Sequence, residues 1–207
     1  MKLNLNESLN KLRHSLLPQL FTIYLRYLIG GAFVFASLIK IKGGRFTGES
    51  GEDMPIDTAW HFFETLYRSG LYWKFIGLGQ LIAGGLLMTQ KFSKLGAVIF
   101  MPIVLNIFII TLSYDFHNTP IITGGLVLAN VYLLIWDWPV FKLFFGLAPE
   151  ISNENRLENQ PDWIITGIVL FLFTAAYRFF IDSYNVVFWL VVCGLTALTG
   201  LIIGLKR

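Results

Sequence analysis

Charge is what this sequence has least of. Only 14% of its 207 residues are Asp, Glu, Lys or Arg, against about 25% in a water-soluble domain. That scarcity excludes a surface that meets water all round. The net charge is only +3, and no nucleic-acid partner is expected. Cysteine is almost missing: Cys193 stands alone, so an internal disulfide, a CxxC redox pair and a cysteine-rich metal site are all excluded. No GxSxG, P-loop, GxGxxG after a strand, HExxH or haem CxxCH occurs, so the familiar nucleophile, nucleotide, zinc and haem signatures are absent. An apolar core close behind the first basic residue is also lacking. Lys2–Gln19 is instead a mixed segment with Lys11, Arg13 and His14, and a secretory signal peptide is not expected.

What is abundant is hydrocarbon: 55% of residues are hydrophobic and the mean hydropathy is +0.63. A membrane-crossing helix needs roughly 20 mostly apolar residues. Six segments qualify: Phe21–Ile39, Phe75–Thr89, Leu95–Tyr114, Pro120–Trp136, Trp163–Ile181 and Val186–Leu205. Tyr72, Trp73, Tyr114, Trp136, Trp138, Trp163 and Tyr184 mark their ends, as interfacial aromatics do. The fold class is therefore all-α, a multi-pass membrane protein. Lys2, Lys11, Arg13, Lys91, Lys94, Lys142, Arg156, Lys206 and Arg207 would share one side, and Lys40, Lys42, Arg45, Arg68 and Lys74 the other. The richer side is expected in the cytoplasm, with both termini.

The organisation expected is a cytoplasmic amphipathic segment (1–20), a four-helix transmembrane bundle (21–138), a polar cytoplasmic linker (139–162) and a C-terminal transmembrane hairpin (163–207). Leu5, Leu9, Leu12, Leu16 and Leu17 recur at helical spacing, predicting an interfacial helix ending at Pro18. In the long external loop Trp60, Phe63, Leu66 and Tyr67 share a face, predicting a second surface helix at about 58–69.

Lipid offers polar groups no partners, so hydrophilic side chains within the spans should face other helices or a cavity. Arg26, Gly30, Phe33, Ser37 and Lys40 form one stripe on the first span. Gly77, Gln80 and Gly84 form another on the second, Pro102 and Asn106 lie one turn apart on the third, and Thr123, Asn130 and Asp137 follow at sevens on the fourth. A rise of about 1.5 Å per residue puts Arg26 level with Asn130 and Gln80 level with Asn106. Two polar layers are predicted, with Arg26, Lys40, Gln80, Asn106 and Asn130 as interior ligand-binding candidates. For the amides the competing reading is plain interhelical hydrogen bonding, and for Arg26 it is snorkelling to the cytoplasmic interface. Gly30-Gly31, Gly84-Gly85, Gly124-Gly125 and Gly200-x-x-x-Gly204 read as close packing within the molecule rather than between copies.

On the external side His61 and Glu64 on the loop helix, with Asp115 and His117 in the turn between the third and fourth spans, are candidates for a proton relay or a metal cluster. The competing reading is ordinary surface polarity, so no metal is assigned. Arg178 and Asp182, at i and i+4, are expected to form a local ion pair.

The stripe R26-x3-G30-x2-F33-x6-K40, the run Q80-L-I-A-G-G-L-L-M and the basic turn Lys91–Lys94 before Leu95-Gly96-Ala97 resemble the DoxX family of bacterial membrane proteins over residues 21–138. The resemblance implies a four-helix bundle in the bacterial inner membrane. For some members it also implies a link to quinone-coupled oxidation or to a larger membrane complex. Two features depart from the family: Gln80 stands where many members have an acid, and the C-terminal hairpin is additional. Three functions follow as expectations: a non-catalytic membrane component that docks a partner protein or holds a lipid-soluble molecule; a subunit of a quinone-linked oxidoreductase, with quinone as cofactor; and a small-solute transporter.

Overall fold

The computed structural model describes residues 12–47, 49–148, 156–183 and 185–206. Lys2, Leu5, Leu9, Lys11, Tyr184 and Arg207 lie outside them, and with them most of the expected N-terminal amphipathic helix. Among the described residues all regular structure is helical: α1 (Leu16–Ile41), α2 (Ala59–Arg68), α3 (Leu71–Met88), α4 (Ser93–Ser113), α5 (Thr119–Trp136), a single turn α6 (Trp138–Phe141), α7 (Pro161–Phe180) and α8 (Val186–Leu205). Six of these, all but α2 and α6, are long and apolar enough to cross a membrane. The protein is a multi-pass membrane protein.

The spans start and stop for local reasons. Pro18 does not end a helix as expected; it sits in the first turn of α1, where its missing N–H would have no intrahelical partner anyway. Pro120 and Pro161 open α5 and α7 in the same way. The loop helix α2 begins at Thr58, whose hydroxyl accepts a hydrogen bond from the His61 N–H at 3.3 Å, a helix N-cap.

Helices α1 and α3 form the closest pair, with α4 on α3, α5 on α4, α7 on α1 and α8 on α7. Gly30 and Gly84 set the α1–α3 approach. A Cβ on Gly84 would lie 2.6 Å from the Gly30 carbonyl oxygen, and one on Gly30 2.8 Å from that of Gly84. In lipid such close contact replaces the hydrophobic driving force available in water. Cores lie on both sides of this pair. Ile29, Phe33, Leu87, Phe100, Val104 and Leu133 fill the space toward α4 and α5, with the Phe33 and Phe100 rings stacked at 3.8 Å between centroids. Ile23, Tyr27, Val34, Met88, Trp163 and Leu170 fill the space toward α7. The Gly200-x-x-x-Gly204 motif is used inside the molecule: Cβ atoms there would strike Thr166 and Trp163 of α7. The remainder of α8 is largely exposed.

Candidate functional site

The polar stripes on α1, α3 and α5 do point inward. Arg26, Ser37, Lys40, Gln80, Thr123, Asn130 and Asp137 are all buried. The stripe on α4 does not, and here the expectation is corrected. Pro102 and Asn106 lie on the exposed side of that helix, because Gly96, Phe100, Val104 and Thr111 take the face toward the bundle. Gln80 therefore does not meet Asn106, and its Oε1 has no hydrogen-bond partner among the described residues. Arg26 and Asn130 make no hydrogen bond to each other. Asn130 Nδ2 donates to the Ala97 carbonyl at 2.9 Å, tying α5 to α4.

Arg26 is instead the centre of a charge network at the end of the bundle where α1 begins and α5 finishes. The residue is 0% exposed. It donates to Asp137 at 2.9 Å, to Glu158 at 2.5 Å and to Gln90 Oε1 at 3.1 Å. The α1 side chain points back toward the helix N-terminus, which lets it reach the end of the span, so the snorkelling geometry is present. What it meets there is carboxylate. Asp137 caps the C-terminus of α5, and Lys94 and Arg156 lie 3.9 and 3.7 Å from its other oxygen. Gln90 stands in the tight α3–α4 turn with φ +58° and donates in turn to the Ile23 carbonyl at 3.4 Å. Glu158 belongs to the linker, in a 3₁₀ turn Leu157–Asn159 anchored where the Leu157 N–H meets Gln19 at 2.9 Å. Burial pushes the Glu158 carboxyl up, but Arg26, Lys94 and Arg156 together outweigh that and hold it below the usual carboxylate value. A guanidinium so matched carries no spare capacity for a ligand. Its evident work is to lock α1, the α3–α4 turn, α5 and the linker together.

Lys40 lies at the opposite end of α1, roughly 21 Å away by helical rise, so the two cations on the stripe do not converge. Its ammonium donates to the Ala36 carbonyl at 2.8 Å and sits over the rings of Phe46 and Trp73, at 4.5 and 5.2 Å from their centroids. Among the described residues it makes no ion pair, and the aromatic faces supply its counter-field.

The candidates expected on the external side are engaged elsewhere or exposed. Glu64 is 4% exposed, covered by arginine side chains rather than by a packed core. It receives two hydrogen bonds from Arg45, at 2.8 and 3.0 Å, one from Arg68 at 2.9 Å and one from the Gly51 N–H at 3.4 Å. The Arg45 bonds, then Arg68 and Gly51, prevail over burial and hold its carboxyl at about 2. His61 Nδ1 lies 3.1 Å from the Met54 carbonyl. Asp115 and His117 are exposed, in left-handed turn conformations. Among the described residues no three His, Cys, Asp or Glu side chains are grouped to hold a metal, so the expected cluster is corrected to an arginine-clamped loop. Helix α2 packs over this end through Trp60 and Phe63 against Phe116, and Phe62 against Tyr114. Helix α7 stops at Phe180, so Asp182 lies beyond its end and ion-pairs with Lys42, while the Arg178 charge also acts on it. The Arg178 guanidinium lies 4.6 Å from the centre of the Phe35 ring.

One feature of the fold was not foreseen. A cavity of about 220 Å³ opens between α1, α7 and α8, lined by Tyr24, Gly31, Leu170, Thr174, Trp189 and Cys193 among others. Its few polar atoms are engaged. Tyr24 donates to the Ala197 carbonyl at 2.8 Å, Tyr27 to the Trp163 carbonyl, and Trp189 Nε1 to Thr174 Oγ at 3.1 Å. The groove therefore presents hydrocarbon. Tyr24, Thr174 and Trp189 fall in three separate spans, and no spacing within one span reveals a space shared by three.

No family model and no solved structure matches the chain. A curated relative, described as the uncharacterized protein YwoB of Bacillus subtilis (strain 168), is 30% identical over 159 residues, which cover 74% of this chain and 96% of the relative. On that identity and coverage, the chain belongs to the same family as YwoB.

Proposed function

We propose that this protein is a non-catalytic membrane component that holds the hydrocarbon part of a lipid-soluble molecule in the groove between α1, α7 and α8. The observation that carries this reading is the groove itself, open in a bundle whose most deeply buried guanidinium, that of Arg26, is already matched by carboxylates. A quinone-linked oxidoreductase subunit is the less favoured reading. The hydroxyls and the indole N–H around the groove are already bonded, which leaves few donors for quinone carbonyls, and the histidines lie elsewhere.

The inner membrane of a bacterium and an orientation with both termini in the cytoplasm belong to the same proposal, supported by the Lys and Arg distribution. So does the DoxX-like resemblance: its stripe residues Arg26, Gly30, Phe33 and Lys40 all face inward on α1. The four-helix bundle with an added hairpin is supported by the order in which the spans pack. Docking of a partner protein has its own supporting observation. Asn106 is exposed midway along α4, where an amide facing acyl chains would lack a hydrogen-bond partner that another helix can supply.

The test uses Gly194, which lines the groove and has open space where a Cβ would stand. Protein purified in mild detergent is extracted and its co-purifying lipids are quantified by mass spectrometry. Gly194→Phe should fill the groove and abolish the enriched species without loss of folded protein. An identical lipid profile in both proteins would refute the reading.

A further inference from the structure

We propose that the α1–α7–α8 flank binds an anionic phospholipid, with its phosphate held by Lys42, Lys74 and Arg178 and one acyl chain lying in the groove. This rests on the groove being a hydrocarbon seat and adds the headgroup that the seat selects.

A second cavity, of about 260 Å³, lies between the C-terminal ends of α1 and α7, bounded by Ile39, Lys42, Gly43, Gly44, Arg178 and Asp182. Gly43 and Gly44 keep that part of its wall free of side chains. The Lys74 stem comes within 3.8 Å of where a Gly43 Cβ would stand, so a third cation borders the niche. Among the described residues that border it, three are cations and one is a carboxylate. Asp182 is paired with Lys42, but its side chain is 89% exposed, and a pair so open to water is weak and exchangeable. The niche keeps a positive excess at the ends of two spans, the level at which lipid phosphates lie and where basic residues attract them.

Niche and groove are continuous. Arg178 is one turn beyond the groove residue Thr174, about 6 Å along α7. The Phe35 ring bridges the two regions. It carries the Arg178 guanidinium at 4.6 Å on one side and contacts the groove residue Trp189 at 4.9 Å on the other. From Trp189 to Ala197 the groove runs roughly 12 Å deeper into the apolar layer. Charge at the membrane edge followed by hydrocarbon inward is the order of groups in a phospholipid. A free phosphate would use only the first part.

The experiment is native mass spectrometry of the full chain in mild detergent, with dioleoyl phosphatidylglycerol and dioleoyl phosphatidylcholine supplied in equal amounts. Wild-type protein should retain one phosphatidylglycerol in preference. Lys42→Gln with Lys74→Gln should reduce that preference roughly tenfold or more while lipid retention persists. Lys74→Gln alone, which breaks none of the ion pairs described, should reduce it part of the way, and Asp182→Asn should raise it. Inorganic phosphate should not displace the lipid. Equal retention of the two lipids by wild type, undiminished preference in the lysine variants, or displacement by inorganic phosphate would each overturn the headgroup assignment and leave the groove reading standing. Retention unchanged in Gly194→Phe would instead remove the groove reading beneath it.

Discussion

The strongest consequence of the Arg26 network is energetic, and Asp137→Asn isolates it. The substitution keeps the shape of the side chain and removes one charge from a site where both partners are almost wholly enclosed. Afterwards Arg26 keeps Glu158 and Gln90, while Lys94 and Arg156, 3.9 and 3.7 Å from the present carboxylate, lose one of the two anions they share. Among the described residues three cations would then face one carboxylate. Unit charges 4 Å apart at an effective dielectric of about 20 interact by about 4 kcal/mol. Removing one member of a buried pair costs about 3–5 kcal/mol in measured cases. At about 2–4 °C per kcal/mol for a chain of this size, the melting temperature should fall by roughly 6–20 °C. Thermal unfolding in detergent, followed by tryptophan fluorescence, measures it. A triple replacement, Arg26→Met with Asp137→Leu and Glu158→Leu, should recover most of the loss, because the cost lies in the uncompensated charge rather than in the missing pair. If Asp137→Asn melts within ~1 °C of wild type, the network contributes little and the locking role assigned to it is wrong.

Three other outcomes follow from the geometry. Gly84→Val should separate α1 from α3 and destabilise by about 1–3 kcal/mol, whereas Gly125→Ala, which meets nothing within 4 Å, should leave the melting temperature the same or slightly raised. Lys40→Met, which removes a buried cation lacking a carboxylate partner among the described residues, should preserve or increase thermal stability; a large loss would mean that its cation–π contacts hold the helix ends together. Glu64, with its folded value depressed to about 2 from 4.5, stabilises the loop clamp above the unfolded value and loses that contribution as pH falls from about 4.5 towards 2. Hydrogen exchange of the 49–68 segment should therefore accelerate across that window in wild type, and Glu64→Gln should show fast exchange already at neutral pH.

The spans were readable because their signal is additive: every apolar residue in a run of twenty argues the same way. Val186–Leu205 was located to the residue, and the others within a few positions. The errors gather where polar residues belong to the helix, as at Leu71–Lys74. Helix direction was readable on α1, α3 and α5, where glycine and polar residues share a stripe. It failed on α4, where Asn106 pointed one way and Gly96, Phe100 and Val104 the other, and packing decided. The partners of Arg26 were hidden for a different reason. Asp137 was visible as one of a stripe, but Gln90 lies in a turn and Glu158 in the linker, and periodicity says nothing about a loop folding back. The clamp on Glu64 was hidden for a like reason, since sequence cannot show that Arg45 and Arg68 reach it.

The chain separation inside the Arg26 network also bears on how the protein is made. Asp137 and Glu158 follow Arg26 by 111 and 132 residues. At ribosomal rates of roughly 5–20 residues per second, its counter-charges emerge on the order of ten seconds later. Through that interval the nascent first span carries a guanidinium that the bilayer core disfavours, so it must linger at the headgroup boundary or inside the insertion machinery. Final seating of the earliest helix therefore waits on the linker, and a chain halted between its fourth span and residue 158 would lack one of the two acids that complete it.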